Sequence, residues 1–507
     1  MNKRYSRIAL IAFAGTLAGC TVGPDFVKPS PVVPPAWTAG AANPAGKVPS
    51  ALTSSAPETD AWWQSFRDPE LVSLISRAAT ENLDLREAAL RIAEARAQRD
   101  ISAADQLPSV SGNASYTNQR ISTTTAQGSL FGSFGKLGGG LPVNIPSFPN
   151  PYNQYQIGFD ASWEPDVFGG VRRSVEAAGA DVEASQEDAR AALISLEAEI
   201  ARDYIDLRNA QGQLAITNRD LVTEQQIRLL ARQRHDAGLG TDLDVVNATA
   251  ELRQTQSQLP PLSRTIESDI NQLSQLLARE PGALGTELRA SAPVPPVPAK
   301  IRIGLPGDLV RRRPDIRGAE ARLHGATARV GVAVATLFPS LTFNANLGTQ
   351  AERFPDLAEW ASRFYSIGPS LQIPIFEGGR LRATVQLADL KEKEAALDYA
   401  NTVLNAVHEV ENAIVAYDSE QRRRAALGAT LIQNRDALGL ARDRYKSGLT
   451  TFLDVLDAER NARQTELAMA ASTAAVSTNL VALYKALGGG WEENGDTGGH
   501  VAQNIGR

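Results

Sequence analysis

Apolar and polar residues alternate strictly in two stretches of the chain. Tyr155, Ile157, Phe159, Ala161 and Trp163 interleave with Gln154, Gln156, Gly158, Asp160 and Ser162, and Leu341, Phe343, Ala345 and Leu347 interleave with Thr342, Asn344, Asn346 and Gly348. Val110 to Thr117 and Tyr365 to Ile375 alternate more loosely. A period of two puts every apolar side chain on one face of a strand. The pattern therefore predicts four strands, about 108–118, 153–164, 339–349 and 364–376, paired as two hairpins with one apolar and one polar face each. After each hairpin the period lengthens. Leu193, Ile200, Leu207, Leu214 and Leu221 recur every seven residues, as do Val403, Val410 and Tyr417. A sustained heptad predicts supercoiled helices, placed at about 170–237 and 379–447 and returning over about 241–280 and 451–487. No proline interrupts Asp166 to Leu259 or follows Ile375. At 1.5 Å per residue the first of these helices spans about 100 Å, far more than a globular core needs.

The two halves are copies of one another. At a shift of 231, Asp84-Leu85-Arg86 meets Asp315-Ile316-Arg317, and Pro108-Ser109 meets Pro339-Ser340. At a shift of 210, Arg234, Gly238 and Leu239 meet Arg444, Gly448 and Leu449, and Leu243-Asp244-Val245 meets Leu453-Asp454-Val455. The 21-residue difference falls in the Gly/Ser/Pro-rich stretch from Ser129 to about Pro151, a longer loop in the first copy. Repeat 1 is placed at 61–297 and repeat 2 at 298–487. Asp68-Pro69-Glu70 reads as an N-cap, a first-turn proline and an early acid, opening a helix that ends before Pro108. Pro260-Pro261, where the second copy has Ala470-Ala471, predicts a helix break in the first copy only. The segment 20–60 is rich in Pro, Ala and Ser and is expected to run as an extended leash; 488–507 is expected to be a disordered tail.

Residues 1–19 add a second constraint. Lys3, Arg4 and Arg7 precede an apolar run that ends in Leu17-Ala18-Gly19-Cys20, the pattern of a secretory signal peptide. Cys20 is the only cysteine, so no disulfide supports the exported chain, and its position looks like a lipobox whose cysteine is acylated. Without 1–19 the chain has 48 basic and 57 acidic residues, net −9, a balance that argues against nucleic acid as a partner. Beyond the signal the reading finds no stretch approaching the roughly 18 apolar residues of a membrane helix. A membrane crossing therefore falls to the strands. Four strands cannot close a barrel when the smallest single-chain ones have about eight, so copies of the chain must share it. No enzyme motif appears. Gly135-Lys136 lacks the spacing and Ser or Thr of a phosphate loop, His235, His324, His408 and His500 are scattered, and there is no HExxH or GxSxG. No cofactor or metal is expected beyond the covalent lipid on Cys20.

The chain resembles the TolC-type outer-membrane efflux proteins, in their OprM/NodT-like lipoprotein branch. The residues that carry the resemblance are Cys20 followed by Thr21-Val22-Gly23-Pro24-Asp25-Phe26, the segment Ala61-Trp62-Trp63-Gln64-Ser65-Phe66, Leu305-Pro306-Gly307-Asp308-Leu309 running into Arg311-Arg312-Arg313-Pro314-Asp315-Ile316-Arg317, and the duplicated Gly-Leu turns. The resemblance implies an α+β membrane protein: a homotrimer whose twelve-stranded β-barrel joins a long α-helical barrel reaching into the periplasm. It also implies an inner-membrane transporter and a periplasmic adaptor as partners, most simply in a resistance-nodulation-division drug pump. A protein-secretion duct of the same fold, or a channel-less periplasmic coiled-coil lipoprotein, remain alternatives.

Each long helix must turn back at its far end. Gly238 and Gly448 suit the left-handed conformation that closes a helix, and Thr241-Asp242 or Thr450-Thr451 can open the next. By resemblance these tips, with Gly238, Leu239, Gly448 and Leu449, dock the adaptor. Leu453, Asp457 and Arg460 share one helix face at i, i+4 and i+7, whereas the first copy has Leu243, Asn247 and Ala250. Three-fold symmetry would gather this charged pattern into a ring, which leads to a periplasmic gate in which Leu453 constricts and Asp457 and Arg460 hold neighbouring helices. The triple arginine 311–313 is expected to open a helix and to be held by acids from a neighbouring segment.

Overall fold

A computed structural model of the protein describes residues 21–38, 51–53, 55, 61–122, 124–125 and 150–491. The signal peptide, Cys20, most of the loop from Ser129 and the end of the tail lie outside them. In chain order the elements are β1 (Ala51–Thr53), α1 (Pro69–Glu81), α2 (Leu83–Ala104), β2 (Ser109–Gln119), β3 (Tyr152–Trp163), α3 (Gly170–Asp236), α4 (Asp242–Gln256), α5 (Leu259–Leu276), β4 (Lys300–Arg302), α6 (Pro306–Arg312), α7 (Pro314–Ala335), β5 (Ser340–Ala351), β6 (Arg363–Gln372), α8 (Arg380–Lys446) and α9 (Phe452–Ala486). Two compact units divide them. One holds residues 96–180 and 324–394 with the chain up to Val27; the other holds 28–95, 181–323 and 395 onward.

The first unit is built on a four-stranded antiparallel sheet in the order β2-β3-β5-β6. Its register keeps the two faces distinct across all four strands. Ser111, Asp160, Asn346 and Ser366 lie in one row, and Val110, Ala161, Ala345 and Ile367 in the next. The apolar face is bare: Val110, Phe159, Leu347, Tyr365 and Ile367 are all at least half exposed. At the sheet centre Gly158 pairs with Gly348. A Cβ on Gly348 would stand 2.3 Å from the Ile157 carbonyl oxygen and 3.0 Å from the Phe364 ring, so these strands approach as they do because both residues lack side chains.

In the same unit the residues after Cys20 are tied down. The Val22 amide donates to the Phe168 carbonyl at 3.1 Å, Asp25 pairs with Arg173 at 2.5 Å, and Phe26 stacks on His324 at 4.5 Å. Gly23, at φ +93°, lies so close to Gly331 that a Cβ would meet its Cα at 2.5 Å. Residues 28–38, in the second unit, are fixed by Lys28 on Glu320 and by the Trp37 indole N–H on the Gly304 carbonyl. The expected leash is thus extended but docked over 21–38; its contacts are tertiary and leave no mark in the local composition.

The second unit is a helical assembly around one apolar core. The heptad residues Leu193, Ile200, Leu207, Leu221, Val403, Val410 and Tyr417 are all buried, as seven-residue packing requires. Trp62, Trp63 and Phe66, in a 3-10 turn, join this core, and Trp62 stacks on Tyr484. A short parallel pair, β1 with β4, has no counterpart in the sequence reading.

Four expectations need correction. The helix from Pro69 does not run unbroken toward Pro108. Asn82 turns out of it at ψ 134°, donates its buried amide to the Leu276 carbonyl, and accepts from the Leu85 N–H to start α2. The arginine triplet does not open a helix: Arg311 and Arg312 end α6, where the helix dipole favours cations, and Pro314 starts α7. Its ion pairing does hold, with Arg311 on Asp308 and Arg313 on Asp315 and on Glu409 of α8. One helix, α9, is apolar and long enough to cross a membrane by composition alone. Its buried Val476, Leu480, Val481 and Leu483 instead belong to the helical core. Finally, the chain from Gly488 to Trp491 is not loose. Gly488 turns at φ +73° against Arg313, and the Trp491 ring carries the guanidinium groups of Arg190 and Arg317 at 4.9 and 5.3 Å.

The break expected at Pro260-Pro261 is present. α4 ends at Gln256 and α5 restarts at Leu259 with proline in its first turn, whereas α9 is continuous through the equivalent positions.

Replacing Gly348 by valine forces backbone against backbone at the sheet centre. We expect a destabilisation of about 1–3 kcal/mol, read as a lower temperature for the heat-induced shift of the folded band in a detergent gel.

Candidate functional site

The two helical reversals share one construction. Gly238 takes φ +72° and Gly448 φ +74°. The Leu239 N–H returns to the Arg234 carbonyl at 2.8 Å, and the Leu449 N–H to the Arg444 carbonyl at 2.9 Å. These six-to-one bonds satisfy carbonyls that a helix end leaves open. Thr241 then caps α4 in a reciprocal capping box with Asp244, and at the start of α9 the Asp454 carboxylate accepts from the Thr451 N–H and the Thr451 hydroxyl. The hydrogen bonds from Thr450, Thr451 and the Thr451 backbone hold the exposed Asp454 carboxyl below its ordinary range.

Behind the turns lies a small core of Ile227, Ala231, Ala248, Tyr445, Phe452, Val455 and Leu456. Leu239 and Leu449, at 68% and 69% exposed, project from it. Leu243, Val246 and Leu453 are also largely open. Arg234 ties the first reversal to the second. Its guanidinium donates to the Tyr445, Lys446 and Leu239 carbonyls and stands 4.7 Å above the Tyr445 ring. The sequence reading took Arg234 only as a repeat marker; its conversion into a cross-link between the tips depends on tertiary placement.

Leu453 and Asp457 are exposed on α9, and Arg460 on the same face is half exposed. Arg460 reaches across to α4 and donates to Glu251 at 3.0 and 2.6 Å. One turn further, Arg463 donates to Glu251 at 2.7 Å, to Glu224 of α3 at 2.7 Å and to the Thr255 hydroxyl at 2.6 Å. Two guanidinium groups thus join three helices through two buried carboxylates. Burial works against the charge on Glu251, but the bonds from Arg460 and Arg463 outweigh it and hold that carboxyl below its ordinary value. Glu224, with less compensation, is pushed up to about 6, chiefly by burial.

The second copy puts amides where the first has these two acids. Glu224, Ala250, Glu251 and Thr255 correspond to Asn434, Arg460, Asn461 and Thr465, and there the Asn434 amide donates to the Thr465 hydroxyl at 2.8 Å. Glu251, Glu224 and Arg463 escaped the sequence reading, although comparing the copies position by position carries the signal: two acids in one copy face two amides in the other.

Glu459, on α9, is a third buried acid near these two. The nearest guanidinium nitrogen of Arg442 on α8 is 3.7 Å away, an ion pair but too long for a hydrogen bond, and neither Glu459 oxygen is hydrogen-bonded. Burial pushes this carboxyl up to about 7, with Glu224 and Glu251 adding repulsion and Arg442 and Arg463 opposing them.

This chain of strand sheet, heptad helices and capped reversals matches known proteins over most of its length. The sequence profile of the family described as "Outer membrane efflux protein" covers residues 74–279 and 305–489. The chain belongs to that family. It is similar to outer membrane protein OprJ of Pseudomonas aeruginosa, 33% identical over 97% of this chain and 98% of that one. It is also similar to nodulation protein T of Rhizobium leguminosarum bv. trifolii, 30% identical over 96% and 98%, and to the pyoverdine export outer membrane protein OpmQ of Pseudomonas putida, 33% identical over 91% and 94%. Among solved structures, the outer-membrane channel OprN superposes with a TM-score of 0.82 at 35% identity, covering 93% of this chain and all of that one. The open state of the Neisseria gonorrhoeae MtrE channel gives 0.75 at 28% identity, over 94% and 99%. The protein is an outer-membrane efflux channel and not an enzyme.

The pH response of the tip follows from Glu459. Its value in the fold lies above the ordinary 4.5, so it contributes stability that is fully present below about pH 4.5 and lost as pH rises through about 7. Amide hydrogen exchange over residues 452–465, corrected for intrinsic rates, is expected to be slower at about pH 6 than at about pH 8, and Glu459→Gln to reduce the difference to the part that Glu224, also raised by burial, contributes through Arg463.

Proposed function

We propose that three copies of this chain close a twelve-stranded barrel and a helical tunnel, forming the exit duct of a tripartite pump that sends small toxic molecules from the periplasm to the exterior. The observation that carries this reading is the sheet itself. Its apolar face is exposed, its polar face is continuous, and its outer strands β2 and β6 have partners on one side only. In lipid such edges must be paired, and identical neighbours pair them with no other component. A lipid on Cys20 would anchor the segment that docks at Gly23, Asp25 and Phe26. The small-molecule cargo is supported by the likeness to the pyoverdine-export relative.

In this reading an inner-membrane transporter supplies the energy, and a periplasmic adaptor docks at Gly238, Leu239, Gly448 and Leu449. The exposed leucines beside two rigid, backbone-presenting turns support that role. Leu453 and Asp457 of three copies form the constriction, and Arg460 holds α9 against α4 through Glu251. Opening then means separating α9 from α4. The energy for it comes from adaptor binding more tightly to the open state than to the closed one.

Substituting alanine for both Asp457 and Arg460 is expected to raise single-channel conductance in planar bilayers and to increase influx of a bulky antibiotic into cells. Unchanged values of both would remove the gate assignment.

A further inference from the structure

The polar face of the strand sheet carries a single charged side chain. Along β2 it presents Ser109, Ser111, Asn113, Ser115 and Thr117, and the matching positions of β5 and β6 carry Asn, Gly, Gln, Ser and Phe residues. Asp160 of β3 is the exception. Arg363, the only other charged residue in these four strands, starts β6 in the register of the apolar face and stacks on Trp360 at 3.7 Å. Asp160 sits one row in from the sheet end where the helices begin, level with Ser111, Asn346 and Ser366.

Its two oxygens are held separately. The Asn113 amide of β2 donates to one and the Asn346 amide of β5 to the other. Both neighbours offer donors, as suits a group that only accepts, and no arginine or lysine is among the residues that line this hollow of about 420 Å³. The charge is therefore positioned by neutral groups and left uncompensated on the face that meets water.

We infer that Asp160 sets the charge preference of the membrane segment of the duct, with Asn113 and Asn346 as its positioning residues. This rests on the three-copy reading, in which the polar faces enclose the lumen and bring three Asp160 carboxylates to one level. A ring of carboxylates inside a low-dielectric wall raises the local concentration of cations and repels anions. The same ring favours cationic over anionic cargo at the point where the helical tunnel gives way to the barrel. Its reach is a Debye length, about 10 Å at 0.1 M salt and about 3 Å at 1 M, so the preference must fade as salt rises.

The test is the reversal potential of purified full-length protein in planar bilayers under potassium chloride gradients. The wild type is expected to pass potassium several-fold better than chloride near 0.1 M salt and to approach parity near 1 M. Asp160→Asn, which keeps size but turns one of the two accepting oxygens into a donor that Asn113 or Asn346 can meet by turning its own amide, should move the low-salt ratio toward parity at unchanged conductance. Asp160→Lys should favour chloride. A wild-type ratio near one at low salt overturns the inference while leaving the duct standing. So does an Asp160→Asn ratio equal to that of the wild type. Folded wild-type protein that passes no current sinks the duct reading, and this inference with it.

Discussion

Backbone hydrogen bonding at the edges of one four-stranded sheet constrains the rest of this protein. Water would satisfy the free N–H and C=O groups of β2 and β6, but the hydrocarbon of a membrane cannot. The sheet's bare apolar face assigns it to hydrocarbon, so the edges need strands from elsewhere. Among the described strands only β1 and β4 are not already in this sheet, and they pair with each other over three residues. On the three-copy reading proposed above, assembly is a condition of folding in the membrane, and the helices share its symmetry because α3 and α8 each begin a few residues after a strand ends.

Duplication supplied the architecture, and departures from it supply the specialisation. Both reversals use a left-handed glycine, a six-to-one bond and an Asp that accepts from the N–H of the Thr opening the next helix. Yet the charged clasp of Glu224, Glu251, Arg460 and Arg463 exists once per chain, with neutral Asn434 and Asn461 at the places equivalent to the two acids. An ion pair in a partly buried site is destabilising once one partner leaves. Such a clasp therefore holds α9 firmly when complete and weakly once a pair is parted, which suits the opening proposed above. In the second copy the Asn434 amide donates instead to the Thr465 hydroxyl and the Asn461 carbonyl, with no ion pair at these positions to part.

Much of this was legible in the sequence because its cause is local. Period-two alternation yielded the four strands, and in the fold it keeps Asp160 and Phe159 on opposite faces. Heptad spacing identified Leu207 and Val410 as core, and paired prolines marked the break before α5. What escaped depends on residues distant in the chain. The docking of Gly23 on Gly331, the turn at Asn82 toward the Leu276 carbonyl and the link from Arg234 to the second reversal have no local signature. The arginine triplet was misplaced because Pro314 can equally end one helix or begin another, and it does both.

Native mass spectrometry of the purified full-length protein, released gently from detergent, addresses the central claim most directly. The account predicts a mass of three chains that persists until heating unfolds the barrel. A folded, strand-rich single chain that is stable in detergent would contradict it, because its sheet would then have managed both open edges alone.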